Sequence, residues 1–229
     1  MKKLFSLLII AFFMLALIIQ FVMPVLVENT VRTRLSERLA THDVVVNFSA
    51  FPSAKISLGQ VDSFRAIAHG AKIGDIYFEE ISTEGEGLGV DILTLLLKNQ
   101  LVMGTPKDVK FKGVLTELNL KELIKREDKF QDVEVKITPD EVLATAGLKL
   151  FGQQANAEIA GNVIIENGAL VFKLGRLNVK NSLVGTVKLD NIFSDITLVK
   201  KNRLPFSAEF TDVALSEGKV LIEAGLKHE

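Results

Sequence analysis

The sequence predicts an α+β protein in which an N-terminal transmembrane helix carries a mostly antiparallel, β-rich domain. Three observations predict it: an almost unbroken apolar run from Leu4 to Val27, a series of alternating strand-like stretches from Val44 onward punctuated by Gly, Pro and Asn-Gly, and only three stretches of helical periodicity among them. The expected organisation is residues 1–27 as a membrane anchor, 28–42 as a juxtamembrane helix and 43–229 as a single β-rich domain.

The apolar run follows Met1-Lys2-Lys3 and is interrupted only by Ser6, Gln20 and Pro24. As a helix its 24 residues reach about 36 Å at ~1.5 Å each, enough to cross a hydrocarbon core of about 30 Å with some tilt. A cleaved secretory signal shares the basic start, but its apolar core is shorter and ends in a small-x-small site. Here bulky residues continue through Phe21-Val22-Met23-Pro24-Val25-Leu26-Val27, so an uncleaved anchor is expected. Basic residues on the two sides leave the orientation rule tied, with Lys2 and Lys3 before the run and Arg32, Arg34 and Arg38 after it. The export-like start places the remainder outside the cytoplasmic membrane, as a single-pass protein.

From Glu28 to Ala40, Val31, Leu35 and Leu39 repeat at helical spacing, a continuation of the anchor. Its arginines suit either anionic headgroups or a solvated face. Strand signals follow over Val44 to Phe48, stopped by Phe51-Pro52, and over Gln60 to His69 and Gly74 to Thr83, parted by a turn at Gly70-Ala71-Lys72. Asp91 to Lys98 reads as a helix too apolar to face water. Glu117 to Arg126 reads as a second helix, capped by Thr116, with Leu120, Leu123 and Ile124 on one side. Val133, Val135 and Ile137 alternate with Glu134 and Lys136. Thr138-Pro139-Asp140-Glu141 reads as a capping box, yet Val142, Ala144, Ala146, Leu148 and Leu150 alternate beyond it, and a strand from Glu141 to Leu150 is the stronger pattern. Two alternating runs then meet at Asn167-Gly168, a type I′ hairpin signal. Leu189, Ile192, Phe193 and Ile196 predict a third helix over Val187 to Leu198, and a final hairpin turns at Ser216-Glu217-Gly218.

Composition narrows the function. Beyond residue 27 lie 25 of the 27 basic residues, since only Lys2 and Lys3 precede it, and all 28 acidic ones, a formal charge of −3. The two signs are interleaved, which argues against a phosphate-tracking surface for nucleic acid. With no cysteine there are no disulfides, thiolate metal sites or cysteine nucleophiles. Fifteen Phe, one Tyr and no Trp make the aromatic content almost wholly apolar, suited to a packed core or to a greasy cavity.

No set of catalytic residues stands out. His42, His69 and His228 are dispersed without companions at metal-ligand spacing. The glycine-rich Glu84-Gly-Glu-Gly-Leu-Gly89 lacks the Lys of a nucleotide loop and carries two acids that repel phosphate, so it reads as a turn. Glu79 and Glu80, being adjacent in a strand, face opposite sides and cannot act as a pair. Neither a metal nor a cofactor is expected, and the protein is not read as an enzyme.

The order of features from Phe51 onward resembles the LmeA-like family of cell-envelope phospholipid-binding proteins. The matching pieces are Phe51-Pro52, the run Ile76 to Leu97 with Gly87-Leu88-Gly89-Val90-Asp91-Ile92-Leu93, Leu115-Thr116-Glu117-Leu118-Asn119-Leu120, Val135-Lys136-Ile137-Thr138-Pro139, Leu148-Lys149-Leu150-Phe151-Gly152, Gly168-Ala169-Leu170-Val171-Phe172, and Leu204-Pro205-Phe206 before the last hairpin. Each is a weak motif; their shared order over about residues 43 to 226 carries the likeness. The resemblance implies a strongly curved, mostly antiparallel sheet wrapped around one or more helices, a tubular lipid-binding-like fold with an apolar groove and no catalytic residues. The retained anchor departs from relatives that are fully exported.

The partners expected are therefore the membrane and a phospholipid or other acyl-chain lipid, bound by a monomer. The expected lining of the groove, drawn from apolar stripes at period 2 or 3.6, is Ile76, Phe78, Leu93, Leu96, Phe111, Leu120, Leu123, Ile124, Phe172, Ile192, Phe193 and Ile196. Patterning does not separate a hollow interior from a full one, so an envelope scaffold with a filled core stands as the alternative.

Overall fold

The computed structural model describes residues 2–126, 130–150, 153–181, 185–188 and 195–226. In chain order its elements are α1 (Lys2–Leu39), β1 (Val44–Ser49), a 3₁₀ turn (Ser53–Leu58), β2 (Gln60–Ile73), β3 (Ile76–Gly89), α2 (Ile92–Lys98), β4 (Asp108–Thr116), α3 (Glu117–Lys125), β5 (Phe130–Ile137), β6 (Val142–Leu150), β7 (Gln153–Glu166), β8 (Ala169–Asn181), β9 (Gly185–Lys188), β10 (Ile196–Val199), β11 (Glu209–Ser216) and β12 (Lys219–Gly225). The class is α+β with antiparallel, curled sheets, as the sequence predicts. One sheet has the order β1-β2-β3-β4-β12-β11, the other β10-β8-β7-β6-β5 with β9 beside β8. Two compact units divide the chain, Met1–Ala68 with Ser82–Lys110, and His69–Ile81 with Phe111–Glu229.

In the first unit, α1 continues unbroken from the apolar run into the juxtamembrane segment. Its exposed large side chains include Ile10, Phe12, Phe13, Met14, Leu17, Phe21, Val22, Val25 and Leu26, whereas Val27 and Val31 are buried. The change occurs where α1 meets β1 and the 3₁₀ turn, whose Ile56 is also buried. Among the described residues no helix is long and apolar enough to cross a membrane. The side chains at 1–9, 11, 15, 16, 18 and 19, which include much of the Leu4 to Val27 run, lie outside the described residues.

Three expectations change. The turn expected at Gly70-Ala71-Lys72 falls at Gly74-Asp75 instead, because Ala71 is fully buried within β2 and the strand continues to Ile73. Glu84 to Gly89 is strand, not turn. Gly85 answers a packing need: a Cβ there would lie 2.4 Å from the Asp108 carbonyl oxygen and 2.7 Å from the Phe64 ring. The helix α2, expected to be buried or to lie against something apolar, buries Ile92 and Leu95 and leaves Leu93, Leu96 and Leu97 exposed. The helix expected over Val187 to Leu198 gives way to β9 and β10, with residues 189–194 outside the described ones. Pairing of β10 with β8, Ile196 opposite Phe172, satisfies backbone groups that a helix would satisfy locally, so at Ile196 tertiary pairing overrides the 3.6-residue pattern.

The second unit contains the meander β5-β6-β7-β8, antiparallel throughout. Asn167 and Gly168 turn β7 into β8 with φ of 52° and 75°, the positive values a type I′ hairpin needs. At Thr138 the anticipated conflict resolves toward the strand. Its hydroxyl accepts from the Glu141 N–H at 3.2 Å and donates to the Glu141 carbonyl at 2.9 Å, so the box residues close a tight turn between β5 and β6. Bulges between Gln131 and Glu134 and between Ala160 and Gly161 bend the sheet.

Candidate functional site

The second unit holds a continuous apolar interior built on one helix. Thr116 ends β4 and caps α3: its side chain accepts from the Asn119 N–H, while the Asn119 side chain accepts from the Thr116 N–H at 2.9 Å. Two polar ties then fix α3 to β5. Glu117 accepts from the Ile137 N–H at 2.9 Å, and Lys121 Nζ lies 2.8 Å from Glu134. The Lys121 ammonium holds the Glu134 carboxyl below its ordinary range, through the hydrogen bond first and its charge second.

So placed against β5, α3 buries Leu120 and packs the half-buried Leu123 and Ile124 on one apolar cluster, which contains Val133, Val135 and Ile137 of β5, Val142, Ala144 and Ala146 of β6, and Val163, Leu170 and Phe172 of β7 and β8. Ile76, Phe78, Leu115, Leu198, Val199, Val220 and Ile222 complete the cluster. No buried polar or charged residue interrupts the core among the described residues. Toward the opposite ends of β7 and β8 a smaller cluster of Ala155, Ala157 and Val179 follows, and the half-buried Ile159 and Leu174 pack against both.

Of the expected lining residues, Ile76, Phe78, Leu120 and Phe172 are buried in this cluster and Leu123 and Ile124 pack against it. Phe111 is half-buried on β4. Leu93 and Leu96 belong to α2 in the first unit and are exposed. Ile196 is exposed on β10, whose Leu198 and Val199 turn inward instead. Ile192 and Phe193 lie outside the described residues. Sequence reasoning omitted Leu115, Val133, Val135, Ile137, Leu170, Val220 and Ile222. Their period-2 alternation is visible, but which face meets α3 is a matter of sheet pairing.

Each unit has a cleft of mixed polar and apolar lining. One of about 670 Å³ is lined by Glu117, Glu134, Val135, Lys136, Leu143, Thr145, Glu217 and Gly218. Another, of about 560 Å³ in the first unit, includes Arg65, Glu84, Glu86, Asp108 and Lys110. Among the described residues there is no group of three His, Asp or Glu positioned to hold a metal. The chemistry the second unit offers is burial: about 0.8 kcal/mol for each CH₂ moved out of water, without directional contacts.

The sequence model of the LmeA-like phospholipid-binding family matches residues 20–225. The chain belongs to that family. No curated protein and no solved structure matches it. The LmeA-like match starts within α1 and extends to the end of β12, so it covers α2, α3 and all twelve strands. An LmeA-like protein binds phospholipid, a ligand with two demands: apolar surface for its chains and polar surroundings for its headgroup. In the second unit both occur on α3, with Leu120, Leu123 and Ile124 facing the core and Glu117 and Lys121 tied outside it.

Proposed function

We propose that this protein is a non-catalytic phospholipid-binding protein, tethered by α1 to the cytoplasmic membrane, with its folded part on the extracytoplasmic side. The acyl chains lie against the apolar cluster of the second unit, entering beside the half-buried Leu123 and Ile124. The family match carries this reading, and the purely apolar core beneath α3 supplies its physical support. Tethering is supported by the length of the Leu4 to Val27 run and by the exposed Phe12, Phe13, Met14, Leu17 and Phe21 of α1, whose first buried side chain among the described residues is Val27. The basic start before the run supports the extracytoplasmic side.

A second reading, an envelope scaffold with a filled core, is favoured by one observation: the apolar side chains beneath α3 already pack against one another. Lipid extraction from the purified full-length protein, followed by mass spectrometry, separates the two. Phospholipid in a stoichiometric amount supports binding, and Leu123→Lys should then retain several-fold less lipid while circular dichroism stays unchanged, since a charge among acyl chains is costly to desolvate. Wild-type protein without lipid, which also fails to bind a fluorescent fatty acid, would sink the proposal in favour of the scaffold.

A further inference from the structure

The first unit exposes large apolar side chains where α1 acquires its protein cover. Phe51 is 88% exposed, Leu58 78%, Leu93 72% and Leu97 80%. Hydrogen bonds fix their height along α1. The Phe48 N–H donates to Glu28 Oε1 at 2.7 Å, so β1, which starts just after α1 ends, runs back along the helix. Phe51 lies three residues further in that direction, and the 3₁₀ turn that follows it packs on α1.

α2 emerges beside the same turn. The Gly59 carbonyl, one residue past Leu58, accepts from the Val90 N–H at 2.8 Å, and α2 starts two residues later. Its far end meets α1 a turn and a half higher, where Arg34 Nε donates to Asn99 Oδ1 at 2.9 Å and Arg38 to the Leu101 carbonyl at 3.4 Å. Six residues at about 1.5 Å each put the first turn of α2 about level with Glu28, with Leu97 one turn above. The exposed Val22, Val25 and Leu26 of α1 continue this apolar surface downward without a break in helix.

From this arrangement we propose that Phe51, Leu58, Leu93, Leu96 and Leu97 form an apolar collar that rests in the interfacial zone of the bilayer around the emergence of α1. The collar rests on the tethering read above. Its α2 leucines, Leu93 to Leu97, span about one helical turn, which fits an interfacial zone about 5–10 Å deep. It would hold the first unit upright on the membrane, beside the lipids the protein binds, where a tether alone leaves the unit free to swing.

The sequence has no cysteine, so single-cysteine variants of the full chain report local environment directly. Phe13→Cys, Leu58→Cys, Leu93→Cys and His42→Cys, each carrying an environment-sensitive fluorophore, would be reconstituted in phosphatidylcholine–phosphatidylglycerol vesicles containing doxyl-labelled lipids. Expected are at least two-fold quenching at Leu58 and Leu93 by shallow doxyl groups, stronger quenching of Phe13 by deep ones, and none at His42, just past the end of α1, which lies about 16 Å along the helix axis from Glu28. Quenching at Phe13 with water-like emission at Leu58 and Leu93 would overturn the collar and leave the tether standing. No quenching at Phe13 overturns both. Leu58 and Leu93 probes that are dry but beyond reach of lipid quenchers, with Leu93→Cys cross-linking between chains, would assign the surface to a second copy and likewise overturn the proposal.

Discussion

The two units use similar side chains in opposite ways. In the second, Ile76, Leu115, Ile137 and Leu170 are inaccessible to solvent and pack around α3, so their removal from water is worth folding energy. In the first, Phe51, Leu58, Leu93 and Leu97 remain largely in contact with solvent beside a helix that is itself apolar and exposed. Two short helices show the contrast directly. α3 alternates Leu120 inward with Glu122 and Lys125 outward, whereas α2 has Leu on nearly every side and can bury only part of it. An apolar residue left outside contributes little to stability, which implies that the first unit keeps these residues for contact with something other than its own core.

The largest expected effect tests that contrast. Leu115→Ala should destabilise the full chain by about 2–5 kcal/mol in denaturant titration, since a fully buried leucine leaves a cavity. Leu97→Ala, at a site 80% exposed, should change stability by less than about 0.5 kcal/mol. Equal costs at the two sites would mean that α2 belongs to a core after all.

Glycines sharpen the comparison at intermediate size. A Cβ at Gly161 would lie 2.3 Å from the Lys173 carbonyl oxygen and 2.8 Å from the Phe172 ring, at the bulge that bends β7. Gly161→Ala should therefore cost about 1–3 kcal/mol through overpacking. At Gly89, in the first unit, a Cβ meets nothing within 4 Å, and Gly89→Ala should be close to neutral by thermal unfolding.

The smallest effect concerns how the two short helices start. α2 is capped by the Asp91 carboxylate, which accepts from the Thr94 N–H at 2.9 Å and from its hydroxyl at 2.8 Å, and these bonds hold its pKa below the ordinary 3.8. A depressed carboxyl pKa contributes stability that is fully present above the unfolded value and is lost as pH falls through the folded one. Hydrogen exchange at the first turn of α2 should thus quicken as pH falls below about 4, after correction for intrinsic rates. α3 is capped by the hydroxyl of Thr116, which does not titrate in that range, and should show no such step. Asp91→Asn should flatten the response of α2. A step that survives Asp91→Asn would place its origin elsewhere, with Asp62, held low by the Phe51 N–H and Lys55, the next group to test.

Much of the fold was legible because its signals are local. Asn167-Gly168 specifies its hairpin through the positive φ both positions tolerate, Thr116 caps the helix it precedes, and alternation over 133–137 marks a strand with one buried face. Where the reading missed, a distant neighbour decided. Gly85 resembles a turn residue until Phe64 and the Asp108 carbonyl fill the space beside it, and Ile196 fits a helical stripe until β8 offers it a partner strand. The candidate lining was legible in part for the same reason: apolar periodicity identifies Leu120 and Leu123 as one face of α3, but it does not say that Leu93 and Leu96 belong to another unit.

By itself the sequence determined the α+β class, the apolar leading run, the absence of thiol chemistry and a family likeness spread over nearly the whole chain, since each depends on composition, periodicity or order along the chain. Only the tertiary structure decided which apolar faces meet. It closed β5 to β8 over α3 into a core and left the leucines of α2 uncovered, because burial depends on pairing between segments far apart in sequence, and no local pattern encodes its partner.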